Sequence, residues 1–436
     1  MTASALDRRD LLRLLAGAGL VAAVPRRADA DLPNATAPAP YAGPFLVTVH
    51  AGGGWDATHL CDPKPSAGPD DAEPINNFLP AAVQKVGPFS LGPTPGAVAF
   101  FQKHQARLIV YNGMDFATNG HDSGTRNAWS GTLVEGYPAL AAMFAANKAP
   151  LQPLAFLSSG GYDHTANLIA PTRVGNVANL QRLVVPNVKD VNNPDRIFHA
   201  PWVWQKLQER RAKRLARRLQ AAVLPQTKSA LQQLQAARSG VTVLDQLVAK
   251  LPAKLDATNN PLKRQAEITA ATFAAGLGAA ASLTLGGFDT HANHDASHLP
   301  RLEMLLQGVD YLHGQLVAQG IADKTIIVVG SDFGRTPGYN AGKGKDHWSI
   351  TSAMVLGPTT GPLAISGGRV VGASTDGHHA RELDPTTLQP VADGKGVRLT
   401  PAALHRALRE HLGLTGSEAD LRFLLEAPKM PLLVKP

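Results

Sequence analysis

Three apolar stretches of this chain run directly into residues that can bind metals or move protons. FLVTV (45–49) leads into AGGGWDATH, which carries Asp56 and His59. ASLTLGG (281–287) leads into FDTHANH, with Asp289, His291 and His294. TIIVVGS (325–331) leads into DFGRTP, with Asp332 and Arg335. A fourth segment, GKGKDHW, adds Asp346 and His347. In an α/β protein the carboxyl ends of parallel strands open into one crevice, so these side chains are expected to meet there. Carboxylate oxygen together with imidazole nitrogen suits Zn, Mn or Fe. The expected cofactor is a divalent metal (Zn, Mn, Fe or Ca) held by Asp56, Asp289, His291, His294, Asp332 and His347. Asp346 can orient an imidazole from behind, and Trp348 can wall the pocket. His59 reads equally well as a ligand or as a structural residue.

Two further groups bear on catalysis. The planar fork of Arg335 can bind an oxyanion through two parallel hydrogen bonds. HDSGTR (121–126) opens a helix, where anions bind well. His121 and Ser123 are candidates there to attack, to position water or to transfer a proton. The same cluster also reads as a helix cap. His298 and the pair His378-His379 read as surface residues.

The elements that must position these groups alternate between strands and helices. Strands are expected at 45–49, 107–111, 153–157, 281–285, 325–330 and 351–357. Helices are expected near 94–105, at 262–279 and 300–319, and from Pro401 to Leu412 with Thr400 as N-cap. Residues 112–132 read as a loop entering a helix, 62–74 as a polar loop, and 160–198 show no clear period. Two helices, broken at Pro225, fill 201–250. This pattern predicts a doubly wound α/β domain over 45–436. Its sheet is mostly parallel, helices cover both faces, and a basic helical insertion lies at about 199–262. There is no internal repeat. The 436 residues, 44% apolar and 17% charged, suit such a domain.

Residues 1–30 have Arg8-Arg9, an apolar stretch from Leu11 to Val24 and the small-residue pattern Ala28-Asp29-Ala30. They read as a cleaved twin-arginine export signal, with 31–44 as an extended leader. The apolar run is too short to span a bilayer. Export would place the mature chain in the periplasm or outside the cell, with the twin-arginine translocase as a transient partner. One cysteine, Cys61, excludes an internal disulfide. The net charge of +8 is local: residues 202–264 hold thirteen Lys/Arg against three Asp/Glu. These helices read as a solvated face, and nucleic acid is not an expected partner.

The twin-arginine start, LTLGGFDTHANH, GSDFGRTP and GKGKDHW together resemble the exported bacterial family called domain of unknown function 1501. That family is similar to the alkaline phosphatase and sulfatase superfamily. The resemblance covers roughly 45–415. It implies one or two divalent metals at the strand ends. Asp56 would take the early ligand position, Asp289 with His291 or His294 the paired position, Asp332 the position of an Asp-His dipeptide, and His347 the late one. Phe333 replaces the dipeptide histidine and cannot bind metal. Asn293 stands where the pair's second ligand is usual. His121 falls where sulfatases place their nucleophile. The function implied is an exported, metal-dependent hydrolase of phosphate or sulfate esters acting on an anionic ester. The alternative is a non-catalytic envelope module that keeps the fold and binds metal or an anion.

Overall fold

The computed structural model describes residues 39–435 apart from 69–70, 175–186, 191–192, 240–243 and 253–254. The twin-arginine segment and most of the leader lie outside the described residues. An eight-stranded sheet organises the rest. Its strands are β1 (Phe45–Gly52), β2 (Leu108–Asp115), β3 (Phe156–Ser158), β4 (Pro171–Arg173), β5 (Ala280–Gly286), β6 (Thr325–Ser331), β7 (Ile350–Leu356) and β8 (Arg369–Val371). They lie in the order β8-β2-β7-β6-β1-β5-β3-β4. Only β7 runs against the others. The sheet is therefore mostly parallel, as the alternating pattern predicts.

The helices are α1 (Ala97–His104), α2 (His121–Ser130), α3 (Leu140–Lys148), α4 (Pro201–Ala221), α5 (Pro225–Ser239), α6 (Leu244–Lys250), α7 (Pro261–Ala274), α8 (His294–Ala318), α9 (Pro401–His411) and α10 (Glu418–Arg422). Strand β1 shows why both faces of the sheet must be covered. Phe45, Val47, Val49 and Ala51 enter one core with α1, α7 and α8. Leu46 enters the other with α3 and α9. A strand apolar on both sides is stable only when helices shield both. Thr400 caps α9 by accepting from the Ala403 N–H at 3.3 Å.

The expected strands all appear, with the third shortened to three residues. The main difference is α8. The sequence places its start at Pro300, because proline lacks a donor and suits the first turn. The helix begins at His294 instead and carries Pro300 inside. His294 and His298 thereby fall four apart on one helix face, with rings stacked at 4.4 Å. In the insertion, α4 ends before Pro225 and α5 begins on it.

Candidate functional site

Strand register explains why distant motifs meet. Gly52 of β1 pairs with Gly286 of β5, and Ala51 pairs with Ser331 of β6. The three central strands end level, so Gly53, Asp289 and Asp332 leave the sheet side by side. Two glycines permit the final approach. At Gly53 (φ +120°) a Cβ would overlap the backbone amide of Asp289. At Gly124, in α2, it would overlap the carbonyl oxygen of Asp332. The second contact seats the start of α2, and with it His121, over the end of β6.

Asp289 is the centre of the exposed cluster. Its Oδ1 lies 3.0 Å from His291 Nε2, 3.1 Å from His347 Nε2 and 2.7 Å from an Arg335 nitrogen. Its Oδ2 lies 3.4 Å from His121 Nε2. Each imidazole is held from behind. His347 Nδ1 faces the Asn119 carbonyl at 2.8 Å, His291 Nδ1 faces Asp346 at 2.8 Å, and His121 Nδ1 faces Asp332 at 2.6 Å. All three partners are acceptors, so each Nδ1 carries hydrogen. In the neutral ring each Nε2 is then a bare lone pair. Two of them, on His291 and His347, stand 3.1 Å apart. Such an arrangement is repulsive unless a proton or a cation lies between. Burial works to raise the Asp289 pKa, but the hydrogen bond and positive charge of Arg335, with the facing imidazoles, outweigh it and hold it at about 2. Donor atoms of His121, Asp289 and His347 all lie within 4.8 Å of one another, close enough to share an ion.

Asp332 serves this cluster from behind. Oδ1 accepts from the Gly53 and Gly54 N–H groups at 3.1 and 2.5 Å and from Ser331 at 2.9 Å. Oδ2 holds His121. Phe333 packs against His347 and His121, with ring centroids at 4.3 and 4.9 Å. Arg335 is fully buried. Its nitrogens donate to the Gly54 and Lys345 carbonyls and to Asp289. It therefore positions Asp289 rather than facing an incoming anion. Ser123 Oγ is taken up by Thr118 at 2.6 Å and the Gly120 carbonyl at 3.2 Å. It closes a turn and has no base beside it.

Asp56 and His294 are in a different place from the one expected. They belong to a second, fully buried cluster. Donor atoms of Asp56, His59 and His294 come close enough for an ion, and the Lys345 ammonium reaches the same carboxylate. Its Nζ lies 2.6 Å from Asp56 Oδ2 and 2.6 Å from Asn76 Oδ1. The protons around Asp56 form a closed circuit. The Asp56 N–H donates to His298 Nε2 at 2.8 Å, so His298 Nδ1 carries hydrogen and donates to Thr290 at 3.0 Å. The Thr290 hydroxyl donates to His294 Nδ1 at 2.7 Å, and His294 Nε2–H returns to Asp56 Oδ2 at 3.1 Å. Burial lowers both histidine pKa values, His298 far below its usual range, so these rings stay neutral. Burial opposes charge on His59, but Asp295 at 3.4 Å and Asp56 at 3.1 Å raise its pKa. Burial likewise works to raise the Asp56 pKa, and Lys345, His294 and His59 drive it well below normal. Two carboxylates, Asp56 and Asp295, thus face Lys345 and His59 in this cluster.

Of the residues singled out in the sequence, Asp289, His291, His347 and His121 converge, with Asp332, Asp346 and Arg335 supporting them. His59, His298 and His378 are buried rather than ambiguous or superficial, while His379 is exposed. Lys345 carries no sign of burial in the sequence, since it lies between Gly344 and Asp346 in a polar loop.

A comparison with curated proteins finds no match. Among solved structures, the chain is similar to Ps i-CgsB at 10% identity and TM-score 0.41, covering 89% of this chain and 77% of that one. It is similar to the lipoteichoic acid synthase LtaP from Listeria monocytogenes at 8% identity and TM-score 0.38, covering 86% and 74%. It is also similar to the PsFucS1 sulfatase from Pseudoalteromonas sp. at 10% identity and TM-score 0.38, covering 98% and 78%. Residues 45–392 match the sequence profile described as "Protein of unknown function (DUF1501)". The chain therefore belongs to the DUF1501 family.

Proposed function

We propose that the chain is an exported metal-dependent hydrolase of phosphate or sulfate esters. Asp289, His291 and His347 would hold one divalent ion, bordered by His121. The observation that carries this reading is the convergence of imidazole Nε2 atoms on one carboxylate, with every Nδ1 tied to an acceptor. That is how metal-ligating histidines are oriented. The charge balance agrees: among the described residues, Arg335 is the cation that pairs with Asp289, and Asp332 and Asp346 add further negative charge. Imidazoles in the majority suit Zn, Mn or Fe better than Ca, whose ligands are oxygens. A divalent metal bound there offsets charge on an ester oxygen and makes water more acidic.

The chain's own groups supply the rest. Arg335 keeps Asp289 aimed. His121, its Nδ1 hydrogen held by Asp332, offers Nε2 to accept a proton from attacking water and return it to the leaving oxygen. The side chains of His121 and Asp289 are each 43% exposed, so a bulky ester can approach. The ester class rests on the motif resemblance, and export on residues 1–30. The test is turnover of an aryl phosphate, an aryl phosphodiester and an aryl sulfate. At least one is expected to react, to stop on chelation and to recover with added metal. His121→Ala is expected to lose about a hundredfold or more, the usual share of acid–base catalysis. Metal-loaded protein that hydrolyses none of the three contradicts the proposal.

One observation favours a second reading, a non-catalytic metal- or anion-binding module of the cell envelope. Both cations next to the cluster, Arg335 and Lys345, are fully buried and cannot grip a substrate anion. Metal bound at the cluster, measured by calorimetry, without turnover of any of the three esters would select it.

A further inference from the structure

Helix α4 presents a row of exposed cations. Lys206, Arg210, Lys213 and Arg217 recur at intervals of four, three and four, which places them along one line of a helix. All four are exposed, whereas Leu215 is buried and Trp204, Gln208 and Leu219 are half-buried on the opposite side. Lys206 pairs with Glu209 at 3.1 Å. Lys213 also acts electrostatically on Glu209; among the described residues, Arg210, Arg214, Arg217 and Arg218 have no carboxylate partner. Like charges three and four apart repel along a helix, so the row gains by meeting anions.

The ends of the row are apolar. Phe198 and Trp202 are 57% and 70% exposed at the start of α4, and Val223 and Leu224 are 90% and 67% exposed just past its end. Trp202 stands four residues before Lys206, on the same line. From Trp202 to Arg217 the row is about 22 Å long. Cations flanked by exposed aromatic and aliphatic side chains are the composition of a helix lying in a bilayer interface. A polyanion such as nucleic acid would engage the cations and leave Val223 and Leu224 in water.

We propose that α4 is a peripheral membrane-docking surface for anionic lipid. Guanidinium groups of the row bind headgroup phosphates, and Phe198, Trp202, Val223 and Leu224 enter the interface. The proposal is independent of the ester chemistry above. It is tested by cosedimentation of the full chain with phosphatidylcholine vesicles, with and without phosphatidylglycerol. Binding is expected only with the anionic lipid, and it should weaken as salt rises. Arg210→Gln, Lys213→Gln and Arg217→Gln combined should lower affinity about a hundredfold, near fivefold per cation. These positions face water, so the triple variant should keep the parent's circular dichroism. Trp202→Ser with Val223→Ser and Leu224→Ser should remove the binding that survives high salt. Equal binding to both vesicle types, an unaffected triple variant, or retention on heparin or duplex DNA without vesicle binding would overturn the proposal.

Discussion

Replacing Lys345 by methionine keeps an unbranched stem of similar length and removes the ammonium from the group it forms with Asp56, His59 and Asp295. The Nζ it deletes lies 2.6 Å from Asp56 Oδ2, and both side chains are fully buried. Removing one partner of a buried ion pair costs about 3–5 kcal/mol, because the other charge is left without compensation. His59 remains beside Asp56 at 3.1 Å and offsets part of that charge, so the lower end, about 3 kcal/mol, is expected. Adding Asp56→Asn removes the stranded charge. The double variant should therefore be more stable than the sum of the single changes predicts, by about 1–3 kcal/mol. Urea unfolding followed by circular dichroism at neutral pH, with chelator present, measures all three variants. A single-variant loss below about 1 kcal/mol, or strict additivity, would refute the description of Lys345 as the cation of this cluster.

Two other perturbations follow from the geometry. Asp332→Asn puts an amide donor opposite His121 Nδ1, which moves the ring hydrogen to Nε2 and points it at Asp289. Any turnover should fall about 10- to 100-fold, the usual cost of losing such support; unchanged turnover would count against it. Acid sensitivity is the second. Burial pushes His378 and His405 down to about 4. Their stabilising effect is complete above the ordinary histidine value near 6.5 and is lost as pH falls, because only the unfolded chain takes up the protons. Each should cost about 2 kcal/mol between pH 6.5 and 5. A flat urea midpoint across that interval would contradict the burial of these rings as neutral groups.

The fold was readable where local signals agreed. Apolar runs such as TIIVVGS are buried on both sides, so their strands stand out without any tertiary information. The start of α8 was not readable. Pro300 reads as a helix start, yet the chain tolerates it within the helix, and the burial of His294 and His298 depends on the turn before it. Asp289, His291 and His347 were legible because each lies within a few residues of a strand end or in a short polar loop beside one. Asp56 follows a strand just as closely. The turn at Gly53 and Gly54 directs it inward, under the crevice rather than into it. Which way a glycine turn sends the next four residues is set by neighbours far along the chain, here Asp289, Asp332 and Phe333. The partner Lys345 lies 289 residues from Asp56, and no local spacing links them. Nor could the sequence show that Arg335 spends its donors on two carbonyls and Asp289.

The central claim is that a metal belongs to the exposed cluster and not to the buried one. Metal content per chain, measured by elemental analysis after dialysis against Zn or Mn, tests this most directly. The comparison is between the parent, Asp289→Asn, and the charge-neutral pair Asp56→Asn with Lys345→Met. One equivalent is expected in the parent and in the buried-cluster pair, with loss in Asp289→Asn. Metal retained by Asp289→Asn and lost from the buried-cluster pair would place the ion at Asp56 and contradict the account.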